Sequence, residues 1–424
     1  MSKIVKIPNI KKSTSNKKIV EHTKPQVIYI PLESKNGVKY THLVKEGDYV
    51  YKGSVIAINK SINFPIHSSV SGYVVSGNKR IINNGNKIKC IVIENDFKEK
   101  YEDRRGYKKD ISNYSKEEFL EMLRTHGITG LGGSDFPTFI KYKICDNYKC
   151  LLVNGVECEP FVTADYALMK EKTDEILESI DAILEIMNIK EAYIAINEEY
   201  TDVINIFNKH LGTYPNIKLS LVRNGYPNGW ERNTIDEVFG LKYKKYPTEI
   251  GILVSNVSTI YAIYEMLKYN RPLTERVITI TGPSIKTPSN VKVKIGASIN
   301  EMIDNIGGYK KLNKPLLIAG GPMMGTSIPT DELIVTKDLN CVIVMEDNFA
   351  KPTECISCGK CASVCPVNLI PILIKQNIND ISTLKKLKCT ECIECGLCSY
   401  ICPAKIELRE YVKEVKNKLR TEAK

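Results

Sequence analysis

Eight of the fourteen cysteines fall into two short runs with the same spacing, Cys-x2-Cys-x2-Cys-x3-Cys-Pro. The runs are Cys355, Cys358, Cys361 and Cys365, and Cys392, Cys395, Cys398 and Cys402. This is the spacing of [4Fe–4S] ligands in two-cluster ferredoxins, in which the fourth cysteine of each run binds the other cluster. The runs therefore predict two cubane clusters that relay single electrons.

Exchange of the fourth cysteine between the runs gives two ligand sets. They are Cys355, Cys358, Cys361 and Cys402 for cluster one, and Cys392, Cys395, Cys398 and Cys365 for cluster two. Zinc is the weaker alternative, because separate four-cysteine zinc sites leave the third cysteine and the proline of each run without a role. Cys389 lies outside both runs and is interpreted as a buried thiol, with a spare ligand in a slipped register as the alternative.

A glycine-rich stretch follows a predicted helix that ends at Gly127. It contains Gly130, Gly132 and Gly133, and Lys141 comes shortly afterwards. Glycines let backbone amides approach a phosphate, and a lysine can neutralise its charge. The dinucleotide fingerprint fits poorly, because that motif lies between a strand and a helix. The stretch predicts a phosphate-binding loop, with a purely structural loop as the alternative.

Polar side chains follow two predicted strands in the same region. Asn154, Glu157 and Glu159 belong to the segment NGVECEP, and Asn256 follows the apolar run ILV. Ligands of α/β proteins bind at the carboxyl ends of parallel strands. These side chains are therefore candidates for hydrogen bonds to a flavin ring, a ribityl chain or a nicotinamide ribose. For the two glutamates, a solvated turn is the alternative.

The patterning along the chain predicts an α/β multidomain protein. Residues 1–26 are basic and are predicted to form a mobile arm, and short β-branched runs predict an all-β unit at 27–95. A charged linker follows, between Phe97 and Ser115. Strands and helices alternate over 116–270, which predicts a doubly wound α/β domain with a mostly parallel sheet. Residues 271–335 are predicted to form a small α+β unit, and 350–424 carry the cysteine runs and a basic terminal helix.

Composition and charge exclude several classes of protein. The chain has 424 residues, 43% hydrophobic and 26% charged, which excludes a single small module and wholesale disorder. No run approaches the length of a membrane span and the start is polar, so a cytosolic location is expected. The net charge of +11 favours acidic partners, with a solvated basic surface as the alternative. No aromatic-interleaved motif for RNA appears, and nucleic acid is not expected as a partner.

Taken together, these motifs resemble the C subunit of Rnf-type electron-transport complexes over nearly the whole chain. The matching stretches are PIHSSVSGYV, HGITGLGGSDFPTFIKY, LLVNGVECEPFVTADYALM, GYPNGWERNTI, ILVSNVSTIYAIYEML, AGGPMMG and the double cysteine motif. The glycine loop and NGVECEP are also similar to the flavin-bearing subunit of respiratory NADH dehydrogenases.

The resemblance implies an NADH-dependent oxidoreductase. NADH would deliver a hydride to FMN, and electrons would leave singly through the two clusters. The implied FMN ligands are Gly130, Gly132, Gly133, Lys141, Asn154, Glu157 and Glu159, with Asn256 as a candidate for the same pocket. It also implies a barrel-sandwich hybrid at 27–95, a β-grasp unit of the SLBB type at 271–335 and a ferredoxin-like α-helical domain at 350–424.

The resemblance further implies a peripheral subunit on the cytoplasmic side of the cell membrane. Its partners would be integral membrane and iron–sulfur subunits of an ion-translocating NADH:ferredoxin oxidoreductase, with ferredoxin reached through a partner subunit. Two alternatives stay open. One is a soluble relative that feeds a reductase such as proline reductase, and the other is a ferredoxin-like relay without a nucleotide.

Three departures from the family pattern bear on the nucleotide pocket. An amino-terminal Gly-Gly-x-His-Pro segment is absent, and the basic arm stands in its place. Ser134-Asp135 replaces a small uncharged pair, which places a carboxylate in the glycine loop beside the expected FMN phosphate. Trp230 stands where a small residue is usual.

Overall fold

The computed structural model describes residues 3–22, 24–102, 111, 114–145 and 147–422. Most of the predicted linker, residues 103–110 with 112 and 113, lies outside these ranges. Within them, no helix is long and apolar enough to cross a membrane.

The amino-terminal segment is packed against the other units, which differs from the mobile arm that the sequence predicts. This strap, residues 3–22, contains α1 (Lys12–Ser15) and β1 (Val20–His22). Strand β1 pairs in parallel with a strand at residues 289–294. The lysine-rich composition gives no sign of this packing. Only a few side chains of the strap, such as Lys11 and Thr14, are buried.

The all-β unit consists of two small antiparallel sheets. Its strands are β2 (Val27–Pro31), β3 (Thr41–His42), β4 (Tyr49–Val50), β5 (Val55–Asn59), β6 (Phe64–His67), β7 (Gly72–Ile81) and β8 (Lys87–Asn95). The sheet orders are β2-β8-β7-β4 and β3-β5-β6. In β2 the period of two is visible, since Ile28 and Ile30 are fully buried while their neighbours are half-buried.

The α/β unit has a parallel sheet with helices on both faces, the doubly wound arrangement that the sequence predicts. Its elements are α2 (Lys116–Thr125), α3 (Thr138–Lys143), β9 (Cys150–Gly155), α4 (Ala164–Glu171), α5 (Thr173–Ile186), β10 (Glu191–Asn197), α6 (Thr201–His210), a 3-10 turn (Leu211–Thr213), β11 (Ile217–Val222), α7 (Glu231–Phe239), a second 3-10 turn (Pro247–Ile250), β12 (Ile252–Asn256) and α8 (Val257–Tyr269). The strand order is β11-β10-β9-β12. Helices α5 and α8 cover one face, and Ile235 of α7 packs on the other.

The β-grasp unit is built on a six-stranded mixed sheet. Its elements are β13 (Glu275–Thr281), β14 (Ser289–Lys294), α9 (Ile299–Asn305), β15 (Pro315–Ala319), β16 (Thr326–Ile328) and β17 (Cys341–Glu346). The order is β1-β14-β13-β17-β15-β16. The sheet therefore includes one strand from the strap and one strand beyond residue 335, where the sequence places the end of this unit.

The carboxyl-terminal unit is helical and carries both cysteine runs. Its elements are α10 (Lys360–Ser363), α11 (Pro371–Gln376), α12 (Ile381–Lys386), a 3-10 turn (Cys389–Glu391), α13 (Leu397–Tyr400) and α14 (Leu408–Glu422). Helix α14 packs Val412 and Val415 against Ile374 and Leu384 of α11 and α12. This core holds the loops that bear the thiols.

Candidate functional site

Two asparagines meet at the carboxyl edge of the parallel sheet. Asn154 of β9 and Asn256 of β12 are register partners. Asn256 caps α8 by accepting from the Ser258 N–H at 2.9 Å, and its Nδ2 donates to Asp165 Oδ2 at 2.7 Å. An asparagine at a strand end that also begins a helix satisfies an otherwise unpaired amide. Both predicted residues are thus fixed at the edge where α/β ligands bind.

The glycine loop lies directly above this edge. A Cβ on Gly132 would come within 3.1 Å of the Asn256 Cβ, so any larger residue here would have to push Asn256 aside. Gly133 has a φ of +101°, and its missing side chain would point into open space. Within the described parts of the chain, the N–H groups of Gly132, Gly133 and Ser134 have no hydrogen-bond acceptor. Successive free amides of this kind form a cradle for an anion, which fits the phosphate of FMN.

Lys141 and Asn154 tie neighbouring loops to the same edge. Lys141 Nζ donates to the Val254 carbonyl at 2.8 Å and lies 3.6 Å from a carboxylate oxygen of Glu231. Asn154 Nδ2 donates to the Gly229 carbonyl at 2.9 Å. Glu231 and Gly229 flank Trp230, which caps the amino end of α7. The GYPNGWERNTI stretch is therefore part of this site.

Glu157 faces the amino end of a helix. Its two carboxylate oxygens accept the Asp165 and Tyr166 N–H groups of α4 at 2.8 and 3.2 Å, with φ at the left-handed value of +44°. Loss of solvent raises the pKa of the Glu157 carboxyl to about 7, and the Lys11 ammonium opposes the shift. The positive end of α4 stabilises the ionised form.

Glu159 is bound by a turn of the β-grasp unit. Its carboxylate accepts the N–H groups of Met323 and Met324 at 3.0 and 2.9 Å, and a Cβ on Gly321 would overlap it. Loss of solvent raises the pKa of the Glu159 carboxyl to about 7. The segment 157–160 is therefore attached to two different units, and GGPMMG supplies backbone donors.

The predicted flavin residues divide into two groups. Gly132, Asn154 and Asn256 meet at the sheet edge with the flanking glycines and Lys141, whereas Glu157 and Glu159 direct their carboxylates to backbone amides of α4 and the Met323–Met324 turn. The structure adds Asp165, which binds both Asn256 and the Ser258 hydroxyl. Its position in the helix-forming run ADYALM gives no sequence signal.

Asp135 follows directly after the free amides of the glycine loop. Its carboxyl lies in a cavity that Lys35, Lys337 and Asp338 also line, between the all-β and β-grasp units. Loss of solvent and the Asp338 charge raise the pKa of Asp135 to about 6, while Lys337 opposes the shift. The departure from the family pattern is accommodated by these neighbours, and the residue has a left-handed φ of +52°.

Four thiols surround one cavity in the helical unit. Cys365 of the first run lines it together with Cys392, Cys395 and Cys398 of the second. The remaining wall includes Leu369, Leu397 and Val412. Four thiols around an apolar space suit a cubane, which is bound by four thiolates. This is the ligand set that exchange of the fourth cysteine predicts for cluster two.

The thiols expected for cluster one lie nearer the surface. Cys361 and Cys402 are buried in one apolar cluster with Ile406 and Leu408, whereas Cys355 and Cys358 are exposed. Solvent therefore reaches one side of this site and is excluded from the other.

The two runs adopt the same backbone conformation. Ser357 and Glu394 hold equivalent positions with φ of +53° and +57°, and each donates its N–H to the sulfur of the first cysteine in its run, at 3.4 and 3.3 Å. Gly359 and Gly396 are likewise equivalent, with φ of +70° and +78°. Amides that point at thiolate sulfurs stabilise their negative charge and that of a cluster.

Cys389 packs in the same apolar cluster as Cys365 and Cys392 but does not line the cluster-two cavity. It is almost fully buried among Leu384, Val412 and Val415, and its thiol donates to the Leu384 carbonyl at 3.1 Å. Among the described residues, no three His, Cys, Asp or Glu side chains are close enough to hold a single metal ion.

The cluster-two cavity is joined by direct contacts to the segment that contains Glu157 and Glu159. Tyr226, next to the GWER segment, donates its hydroxyl to the Cys395 carbonyl at 2.6 Å. Tyr226, Met323 and Cys395 form one apolar cluster, against which Cys158 of NGVECEP packs. Arg409 of α14 donates to the Met323 carbonyl at 2.9 Å. Packed protein atoms therefore connect the two centres along this contact.

Comparisons with known families match each unit of this architecture. Residues 2–98 match the RnfC barrel sandwich hybrid domain, 123–265 the Nuo51 FMN-binding domain, 277–327 the SLBB domain and 354–406 the 4Fe-4S dicluster domain. FMN and [4Fe–4S] clusters are thereby confirmed as the cofactors, as is the predicted fold class.

Three curated relatives cover most of this chain. It is 31% identical over 87% of its length to the C subunit of the Na(+)-translocating ferredoxin:NAD(+) oxidoreductase complex of Acetobacterium woodii, and covers 85% of that protein. The C subunit of the proton-translocating ferredoxin:NAD(+) oxidoreductase complex of Clostridium ljungdahlii is 32% identical over 86% of this chain and is 81% covered. The C subunit of the ion-translocating oxidoreductase complex of Pectobacterium atrosepticum is 30% identical over 86% of this chain and is 54% covered.

Among solved structures, the fold is similar to a chain of an NAD+-reducing [NiFe]-hydrogenase in the H2-reduced state. The TM-score is 0.53 at 16% identity, with 73% of this chain and 62% of that chain covered. At this identity the likeness concerns the fold.

Proposed function

Because this chain belongs to the family of C subunits of Rnf-type ion-translocating oxidoreductase complexes, we propose that it exchanges reducing equivalents with NADH at FMN and relays single electrons through two clusters. When bound, FMN couples the two-electron hydride of NADH to the one-electron [4Fe–4S] centres. The chain itself must bind these groups, orient them and exclude water from the path between them.

The FMN site that we propose is the carboxyl edge of the parallel sheet. The free amides of Gly132, Gly133 and Ser134 would hold the phosphate, with Gly130 shaping the loop. Lys141, Asn154 and Asn256 would complete the polar wall. Glu157 and Glu159 would contribute to the same site indirectly, because their hydrogen bonds fix the backbone of the segment that contains them.

One observation carries the electron path, namely the apolar contact among Cys158, Tyr226, Met323 and Cys395. It connects NGVECEP with a thiol that lines the cluster-two cavity. Electron transfer between protein centres requires a short path through packed atoms, which this contact supplies. Cluster two would therefore exchange electrons with FMN, and cluster one, whose Cys355 and Cys358 are exposed, would exchange them with a partner.

The partner side follows from the family. We propose a peripheral subunit on the cytoplasmic face of a membrane complex, with integral membrane and iron–sulfur partner subunits and ferredoxin reached through one of them. The names of the Acetobacterium and Clostridium relatives support this assignment.

The test is an anaerobic titration of the full chain reconstituted with FMN, iron and sulfide. We expect NADH to bleach the flavin absorbance first and the cluster absorbance after it. A protein that binds FMN and both clusters but is not reduced by NADH would overturn the nucleotide assignment. Reduction of the flavin without any reduction of the clusters would overturn the path.

Membrane association has its own test. In cells that also make the partner subunits, the chain should sediment with membranes, remain accessible to protease in inverted vesicles and be protected in right-side-out ones. Recovery of the chain in the soluble fraction with all partner subunits present would contradict the peripheral assignment.

A further inference from the structure

The strap contacts three units of the protein, the α/β unit, the β-grasp unit and the helical unit. Near its start, Val5 exchanges two backbone hydrogen bonds of 2.9 Å with Tyr226. Strand β1 at its far end extends the β-grasp sheet beside β14. Between these points, residues 10–14 run along the segment 157–163 that contains Glu157 and Glu159.

Four hydrogen bonds join the strap to that segment. The Ile10 N–H donates to the Pro160 carbonyl at 3.0 Å, and the Thr163 hydroxyl donates to the Thr14 hydroxyl at 2.7 Å. Lys11 Nζ supplies the other two, to the carbonyls of Glu157 at 2.5 Å and Val162 at 2.6 Å. The segment leaves the sheet edge here, so its carbonyls lack the hydrogen bonds that a neighbouring strand would give. Donors of the strap supply those hydrogen bonds instead.

The Lys11 ammonium is buried with its donors fully used. The residue is 7% exposed, and its third hydrogen bond goes to the Tyr200 hydroxyl at 2.8 Å. The nearest carboxylate oxygen of Glu157 lies 3.8 Å away. Burial lowers the pKa of Lys11, while Glu157, Cys158, Glu159 and Asp165 oppose the shift. A buried ammonium is costly unless its charge is compensated, and the three carboxylates among these groups provide the compensation.

We propose that Lys11 is a positioning residue of the flavin site, whose ammonium braces the 157–162 segment and offsets the negative charge of Glu157 and Glu159. The inference rests on the proposed FMN site and adds a residue from outside the α/β unit to it. A phosphate dianion and a reduced flavin both bring negative charge to this region. Removing the cation therefore weakens FMN binding and lowers the reduction potential of bound FMN.

The experiment measures FMN binding by the full-length apoprotein, so it does not depend on turnover. In Lys11→Ala we expect the dissociation constant of FMN to rise at least about tenfold, the scale of one lost buried charge-assisted hydrogen bond. The potential of residual bound flavin should also fall. Lys12→Ala is the matched control, because Lys12 is the exposed neighbour of Lys11 in the strap. It should bind FMN as the wild type does.

Chemical rescue separates charge from packing. n-Propylammonium fits the space left by the lysine side chain and restores its charge, whereas n-propanol restores only volume. The ammonium ion should recover FMN affinity in Lys11→Ala, and the alcohol should not. Equal rescue by both would overturn the proposal, as would unchanged affinity and potential in the variant.

Folding failure does not end the test. If Lys11→Ala does not fold even in n-propylammonium, Lys11→Arg keeps the charge on a longer side chain. Retained FMN affinity in folded Lys11→Arg supports the proposal, and loss of affinity in it overturns the role of the charge. Failure of the proposed function would instead appear in the wild type, which would bind no FMN.

Discussion

Two glutamates separated by one residue illustrate how far residue identity determines role. Glu157 and Glu159 look alike in sequence, yet one is bound by helix α4 and the other by the Met323–Met324 turn. The sequence marks both as candidates, because acidic residues after a buried strand lie at the ligand edge. It cannot supply their partners, since the turn is more than 160 residues away along the chain. The cysteine runs differ from the glutamates, because the spacing of neighbouring cysteines is enough to predict the cluster that they bind.

The raised pKa of Glu159, about 7, predicts a pH dependence of stability. Between its ordinary value near 4.5 and about 7, the folded protein holds more protons than the unfolded chain, so stability falls as pH rises through this window. In Glu159→Gln that contribution is removed, and the apparent melting temperature of the apoprotein should fall less between about pH 5 and pH 7. The variant Glu46→Gln is the control, because Glu46 is exposed. Parallel curves for Glu159→Gln and wild type would contradict the prediction.

Exchange of the fourth cysteine can be tested at single ligands. Cys365→Ser should abolish the cluster that Cys392, Cys395 and Cys398 hold, leaving about half of the iron and labile sulfide. Adding Cys392→Ser to this variant should cause no further loss of iron, whereas adding Cys355→Ser should remove the remaining iron and sulfide. The measurements are iron and sulfide content and the EPR spectrum of the reduced protein. If the double variant Cys365→Ser/Cys355→Ser kept half of its iron, each run would bind its own cluster.

At the scale of elements, strands can be predicted where the residues within the strand itself show alternation or an apolar run. The alternation in β2 and the apolar runs of β9 and β12 indicate their type from sequence alone. Strand β1 has three residues in a basic segment, and its pairing with β14 depends on a partner about 270 residues later. Strand β17 pairs with β13 and β15, both much nearer along the chain, but it follows a charged stretch beyond residue 335, where the predicted unit ends.

The equivalent glycines of the two cysteine runs give a matched pair of variants. Both have positive φ, so Gly359→Ala and Gly396→Ala share a backbone strain of about 1 kcal/mol. Only at Gly396 would the new Cβ overlap the Met323 carbonyl, since nothing lies within 4 Å of the position at Gly359. Gly396→Ala should therefore lower the melting temperature further and slow cluster reduction by NADH. Equal effects in stopped-flow and thermal measurements would show that the contact with the Met323–Met324 turn is unimportant.

At the scale of the whole molecule, the buried and exposed thiols define an inside and an outside. The cluster-two cavity lies against the β-grasp turn and Tyr226, whereas Cys355 and Cys358 face solvent. The net charge of +11 over the whole chain favours an acidic partner. Sequence predicted the parts of this relay but not their order, because order depends on which faces of separate units touch.

Air exposure should reveal that asymmetry. Oxygen and chelators reach cluster one first, so the wild type should lose about half of its iron in a fast phase and the remainder slowly. Cys402→Ser, which lacks a cluster-one ligand, should show only the slow phase, and Cys365→Ser only the fast one. Loss of iron in a single phase in the wild type would contradict the assignment of the exposed site.

The pairing of β1 with β14 also sets the order in which the protein can be completed. Residues 20–22 are synthesised well before the strand they pair with, which spans residues 289–294. Loop 157–163 likewise emerges long after residues 10–14, which hold it. The strap is thus made early but is among the last segments to reach its final place, and a nascent chain that has not yet passed residue 294 leaves β1 unpaired.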